Sequence, residues 1–286
     1  MDPELELDHV GIVVADLDAA QATFTKLGFQ VTERSYHQGS PKAGDPVQPM
    51  GSANHCAMFE QGYLEIMGIW NPDLWSTAAE MLAHYEGLHI IASRNYDAVA
   101  THAALSSRLP GLPAPRILRR EIEVDGKTET LEFHNIVTER AAMPEARFIV
   151  IEHKTPDLLW RPEQMAHPNG VVAIDDAYLC PSDFSEAVAR IARLFDLSPE
   201  LPEAGLARFQ LARSQLSVYD DSAFARAYPG IRPPMRPSSM GCAFRVRDLK
   251  ATRKVFQANG VAFNEASGGI WVGPPVSHGT VLSFHE

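Results

Sequence analysis

Histidine and glutamate recur in this chain inside runs that otherwise look like buried strands. Leu7-Asp8-His9-Val10-Gly11-Ile12-Val13-Val14 carries a histidine early in an apolar run, and Gly62-Tyr63-Leu64-Glu65-Ile66-Met67-Gly68-Ile69 carries a glutamate. The pair returns as Gly87-Leu88-His89-Ile90-Ile91-Ala92-Ser93 and Arg147-Phe148-Ile149-Val150-Ile151-Glu152-His153. A polar group sealed in apolar surroundings costs roughly 2–7 kcal/mol when it has no partner. A His-strand followed by a Glu-strand, twice over, therefore points to one metal ion held between two related units.

Side chains alternate along a strand, so His9 shares a face with Gly11 and Val13 while Val10, Ile12 and Val14 take the packing side. By the same parity Glu65 opposes Leu64 and Ile66, and Glu152 opposes Ile151 and His153. All the candidate ligands are thus expected to leave the helix-packed side for one concave interior. His153 points the other way on a regular strand and acts as a charge neighbour of Glu152, an arrangement that a bulge would reverse. His55 and His134 lie on inner strands, from which either could touch a substrate or carry a proton, although a core or edge histidine would look the same.

The elements that must position these groups follow from local signals. Asp16 and Gly28 bracket a helix with Leu17, Ala20, Phe24 and Leu27 at helical spacing, between the His9 strand and a loose alternation over Phe29–Tyr36. A Gly-, Pro- and Ser-rich loop spans 38–52, a strand follows at Asn54–Phe59, and the Glu65 strand closes a β-α-β-β-β unit. The order repeats with strand Leu88–Ser93, helix Tyr96–Leu109, a hairpin of Ile117–Val124 and Thr128–Val137 around Asp125-Gly126, and strand Phe148–His153. Two fainter copies begin at Val171–Leu179 and Cys242–Val246, with helices at Asp183–Phe195 and Leu249–Asn259. Proline-bearing linkers fall at Thr155–Gly170 and Asp221–Ser239. The expectation is an α+β protein of four βαβββ units, paired into domains 1–156 and 157–286, with curved mixed sheets forming a cup. The third and fourth copies have no histidine at the matching position, so the C-terminal half reads as a scaffold or dimerisation half, and a homodimer stays open.

The bulk properties narrow the function classes. At 286 residues, with 45% hydrophobic and 21% charged residues, the chain has the composition of a soluble enzyme with more than one core. A net charge of −11 argues against nucleic-acid binding, and the short basic run Arg116 to Arg120, followed by Glu121 and Glu123, reads as the solvated end of a strand. Cys56, Cys180 and Cys242 are too few and too scattered for a disulfide framework or a cysteine zinc site. With no secretory leader pattern and no long apolar run, a cytoplasmic protein without membrane contact is expected. No G-x-G-x-x-G, P-loop or G-x-S-x-G motif is present.

The unit order, opened by Leu7-Asp8-His9-Val10 and closed by Tyr63-Leu64-Glu65-Ile66, resembles the glyoxalase/extradiol dioxygenase superfamily with its vicinal oxygen chelate fold. Glu152-His153-Lys154-Thr155-Pro156, Trp160-Arg161-Pro162-Glu163 and His167-Pro168-Asn169-Gly170 resemble, more narrowly, the bacterial glyoxalase-like-domain proteins. The resemblance covers the first 170 residues well and the rest by pattern. It implies metal ligands on the first and fourth strands of paired units, which here are His9, His89, Glu65 and Glu152. The superfamily's two-domain ring-cleaving enzymes hold their metal in the C-terminal half, and this chain departs from them there.

Two imidazoles with one or two carboxylates would suit Zn²⁺, Ni²⁺, Mn²⁺ or Fe²⁺. Such an ion would chelate vicinal oxygens of a small substrate and stabilise an enediolate, with Glu65 free to act as the general base of an isomerase or lyase. The second expectation is Fe²⁺ on a triad of His9, His89 and Glu152, opening catechol rings with oxygen. The third is a metal-free protein binding an aromatic or drug-like molecule against Phe59, Tyr63, Met67, Trp70 and Trp75, a set that core packing would also explain. In either enzyme reading, His55, His134, Phe59 and Tyr63 are the candidate substrate contacts.

Overall fold

The computed structural model describes residues 5–39 and 46–286. Part of the loop expected over 38–52 lies outside these described residues. The chain runs β1 (Glu6–Val14), α1 (Leu17–Lys26), β2 (Ser35–Gly39), β3 (Gln48–Met58), β4 (Tyr63–Ile69), α2 (Thr77–Leu82), β5 (Gly87–Arg94), α3 (Ala98–Ser106), β6 (Arg116–Val124), β7 (Lys127–Val137) and β8 (Arg147–His153). It continues through β9 (Val171–Cys180), α4 (Phe184–Phe195), β10 (Glu200–Glu203), β11 (Leu206–Gln210), β12 (Gln215–Tyr219), α5 (Asp221–Ala227), β13 (Ser238–Val246), α6 (Leu249–Ala258), β14 (Asn264–Ala266), β15 (Gly269–Val272) and β16 (Val281–His285).

The fold is α+β, built on two eight-stranded mixed sheets. The first has the order β2-β3-β4-β1-β5-β8-β7-β6 and the second β10-β11-β12-β9-β13-β16-β15-β14. Each order is a palindrome of units. The first strand of each unit pairs parallel with the last, and first strands of neighbouring units pair antiparallel, β1 with β5 and β9 with β13. In the first sheet the outer strands β2 and β6 approach one another, so the sheet curls almost into a barrel and encloses a concave face.

Local chemistry sets the ends of these elements. Asp16, Asp97, Asp183, Asp220 and Asp248 each accept a backbone N–H in the first turn of the helix that follows, which satisfies donors a helix cannot pair itself. Asp125 and Gly126 both take positive φ, 51° and 73°, as a two-residue type I′ turn between β6 and β7 requires. The convex faces of both sheets, together with α1, α3, α4 and α6, bury one shared core that includes Val10, Ile12, Phe148, Ile174, Ile191 and Phe256. Phe29 sits at its centre, with its ring centroid 5.4 Å from that of Phe244 and 6.1 Å from that of Phe59. Burying each such ring contributes roughly 1.5–3 kcal/mol, so the sheets are bound back to back with their concave faces turned away from this core.

Candidate functional site: the concave face of the first sheet

Alternation decides which side chains enter the cup. Val10, Ile12 and Val14 join the shared core, which turns His9, Gly11 and Val13 of β1 toward the concave side. On β4, Leu64 and Ile66 do the same, which turns Tyr63, Glu65 and Met67 inward beside them. Glu65 lies at the middle of this surface. The Asn54 amide donates to its Oε1 at 2.5 Å, and His37 Nε2 stands 4.0 Å from the same oxygen. The other ring nitrogen of His37 lies 2.9 Å from Ser52 Oγ, which fixes the plane of the ring. Burial lowers the His37 pKa against the opposing pull of Glu65, so the imidazole is neutral near pH 7.

Beside Glu65 on β1 is Gly11, which adds no side chain, and on β3 is Cys56. Burial, aided by Glu65, pushes the Cys56 thiol up to about 12, which removes it as a nucleophile. Arg120 enters from the opposite wall on β6. Its charge acts on His37, Cys56 and Tyr63, its guanidinium lies 6.0 Å from the Phe133 ring, and its Nε has no hydrogen-bond partner among the described residues. The Glu65 carboxylate thus has a neutral imidazole and an amide at its side and a guanidinium across the cup.

The closed end is built on Asp8. A register shift between Leu7 and His9 turns this residue out of the alternation, and it is fully buried. Arg94 Nε donates to it at 2.7 Å, His9 Nδ1 at 2.8 Å and His153 Nε2 at 3.0 Å. Burial alone would raise its pKa, but the two imidazoles outweigh this and hold the carboxyl well below the usual range. Trp160, from the segment after β8, caps this end: its ring covers the Arg94 guanidinium at 4.3 Å and its indole N–H reaches the Phe59 carbonyl at 3.1 Å. The His9 ring stacks on Tyr63 at 4.3 Å.

Several expected placements need correction. Glu152 lies on the helix side of its strand, where it accepts the Ala98 N–H of α3 at 3.0 Å and pairs with Lys154 at 2.7 Å. Its neighbour His153 enters the cup instead, because Phe148 and Val150 pack into the core and set the parity of β8. His134 is cross-strand from Glu152 and shares its outward side, 3.7 Å away. His55 opposes the core residue Ile66, bonds the Thr32 carbonyl at 2.8 Å, and is buried away from the cup. Phe59 is fully buried in the shared core and packs on Phe29 and Phe244.

His89 sits at a second register shift, opposite Gly11 and Ile12, and lines a separate recess rather than meeting Glu65. Its Nε2 donates to the Tyr85 carbonyl at 2.8 Å and its ring stacks on Tyr85 at 3.9 Å. Burial pushes its pKa down to about 4. In the Arg116–Arg120 run, residues 116 to 119 are exposed, as expected of a solvated strand end, and Arg120 is half-buried on the face of its cross-strand partner Leu131.

Four donors were named for a metal, namely His9, Glu65, His89 and Glu152. They do not converge, and among the described residues no three His, Cys, Asp or Glu side chains are grouped to hold an ion. His9 comes nearest to the required chemistry, since a carboxylate on Nδ1 is a common outer partner of a metal-bound imidazole, and Glu65 shares its face. The remaining two donors point elsewhere, so the set does not fit. The groups that reading the sequence missed are His37, Asn54 and Arg120. Alternation marked none of them, because the parity of β2, β3 and β6 is visible only once the sheet order is known.

Comparison with known proteins agrees with the geometry at the level of fold. A family model described as a glyoxalase-like domain matches residues 7–195. No curated protein matches the chain. Among solved structures, a hypothetical protein from Staphylococcus aureus is 12% identical with a TM-score of 0.66, covering 98% of this chain and 99% of its own. A triple mutant of 4-hydroxymandelate synthase from Streptomyces coelicolor is 13% identical with a TM-score of 0.59, covering 99% and 92%. The Mn(II)-bound glyoxalase from Novosphingobium aromaticivorans is 11% identical with a TM-score of 0.57, covering 99% and 82%. At such identities the likeness is one of fold.

Proposed function

The chain belongs to the glyoxalase-like domain family, and from that membership and the cup we propose an isomerase or lyase that moves a proton on a small molecule with vicinal oxygens, Glu65 being the general base. The observation that supports this most is the setting of Glu65. One carboxylate oxygen is held by Asn54, the neighbouring imidazole is neutral, and Arg120 faces it from the far wall. A carboxylate fixed by an amide can take a proton from carbon with its second oxygen. Arg120, with an unsatisfied N–H inside the cup, can stabilise the enolate oxygen that forms. His37 can then return the proton, because a neutral ring beside a newly protonated carboxyl can shuttle it.

A divalent ion (Zn, Ni, Fe or Mn) belonged to the expectation, and one of the structural neighbours is a Mn(II)-bound glyoxalase. The four donors do not converge and so do not fit such an ion. The same misfit removes the geometric support for an Fe(II) ring-cleaving site on His9, His89 and Glu152. A metal-free binding protein is the second reading, favoured by the apolar cup residues Met67, Ile149 and Ile151.

The test is solvent exchange. In D₂O, wild-type protein should exchange the C–H beside the carbonyl of some member of a panel of hydroxyketones, α-ketoaldehyde adducts and α-keto acids, followed by proton NMR. Glu65→Gln should slow that exchange by roughly 10²–10⁴-fold while the melting temperature stays near that of wild type. Exchange that persists in the glutamine variant would overturn the assignment of the base, and saturable binding without exchange would select the binding protein.

A further inference from the structure

The recess that His89 lines carries a cationic set that the proposed chemistry does not use. It measures about 450 Å³ and lies between α2, the start of β6, the ends of β7 and β8, and the loop that joins them. Arg116, Arg140 and Arg147 all line it, in a chain whose net charge is −11. Among the described residues, none of the three has a carboxylate within the 4.0 Å of an ion pair. The charge of Glu80 favours Arg147 and that of Arg116 opposes it, and Arg140 acts on His89 and Tyr85. Glu80 and Glu139 also border the space, whereas Glu145 is committed to Arg190.

Two polar atoms point to the rest of the occupant. Asn135, cross-strand from Arg116, has a buried Oδ1 that no donor satisfies. His89 uses Nε2 on the Tyr85 carbonyl and keeps a neutral ring, which leaves Nδ1 as an acceptor. Arg116, Arg140 and Arg147 are all exposed, so a solute entering the recess can reach them. Three guanidiniums without an ion-pair partner, one buried acceptor without a donor and one ring nitrogen left to accept match a ligand with an oxyanion at one end and O–H donors beside it.

We propose that this recess seats the oxyanion of a small hydroxylated acid, a carboxylate or phosphate, between Arg116, Arg140 and Arg147, with Asn135 and His89 accepting from its hydroxyl. This deepens the function proposed above and rests on it for the chemistry that follows binding. Guanidiniums suit this role because each offers paired N–H donors in one plane.

Titration calorimetry with malate, succinate and inorganic phosphate tests it. Malate should bind more tightly than succinate, because only malate offers a hydroxyl to Asn135 and His89. The variants Arg147→Gln and Arg116→Gln should each weaken binding about 10-fold or more, the scale of one lost charge-assisted hydrogen bond. Arg147→Lys should restore part of it. Binding of phosphate alone, still dependent on Arg147, would support the site and assign the oxyanion to a phosphate ester. Failure of all three probes at millimolar concentration, or binding indifferent to both arginine variants, would overturn the proposal. Glu65→Gln separates the two readings. If it keeps anion binding while exchange is insensitive to it, the recess stands and the assigned base falls. If exchange depends on Glu65 but no anion binds, the recess falls alone.

Discussion

Glu65 and Glu152 each interrupt an apolar strand, yet one faces the cup and the other supports a helix. The difference comes from the residues around them. On β4 the core takes Leu64 and Ile66, which leaves the glutamate between them facing inward. On β8 it takes Phe148 and Val150, so the even positions turn outward and Glu152 meets the first turn of α3. A carboxylate at a helix N-terminus is favoured by the unpaired N–H groups there by about 0.3–1 kcal/mol. Glu152→Ala should therefore lower stability by about 1 kcal/mol in urea denaturation and leave solvent exchange unchanged. Loss of exchange in a folded Glu152→Ala protein would return that residue to the active site. The sequence carried the inward parity of His9, Tyr63 and Glu65 correctly, because apolar residues flank them regularly. It could not carry His153 over Glu152, since the run Ile149-Val150-Ile151 is apolar on both faces and names neither as the core side.

At the level of elements, strong signals were readable and short ones were not. The Asp16–Gly28 helix and the Asp125-Gly126 hairpin appear where cap and turn chemistry put them. The helix expected from Tyr96 to Leu109 is shorter, Ala98–Ser106, because Asp97 is the residue that caps it. Two helices escaped notice, α2 and α5, each too brief to show a periodic apolar stripe. Both settle on concave faces. From α2, Ala78 and Met81 pack on Val13, Met67 and Ile149 in the first cup and leave the recess open beside them. From α5, Phe224, with Tyr228 just beyond the helix, fills the second cup against Tyr178, Tyr219 and Trp271. Phe224 is almost fully buried, so Phe224→Ala should cost about 3–5 kcal/mol in a denaturation experiment and speed hydrogen exchange across α5. A loss below about 1 kcal/mol would mean that α5 only rests on the second sheet and does not close it.

Across the whole molecule, one unit order repeated four times has produced two cups with opposite fates. Four paired units follow from the duplicated pattern and were legible from sequence, whereas the strand order and the core shared between the two sheets were not. The fate of each cup was not, because it depends on which short connection folds inward. The first cup keeps Asp8 ionised by giving it an arginine and two histidines. The second buries Asp176, which accepts from Ser217 Oγ at 2.6 Å, has no partner for Oδ1 among the described residues, and lies near Tyr178, Tyr219 and Tyr228. Burial there raises the Asp176 pKa to about 8, so the folded protein holds a proton that the unfolded chain releases above its ordinary value of 3.8. Between those two values unfolding sheds a proton, and each pH unit upward lowers the stability by up to about 1.4 kcal/mol from this group. Asp176→Asn keeps the Ser217 bond and removes the ionisation. The variant should therefore gain on wild type as pH rises from 5 to 8, in urea midpoints measured across that range, and the gain should level off above pH 8. A stability difference that stays constant over the same interval would show that Asp176 is ionised in the folded protein and that the second cup admits water to it.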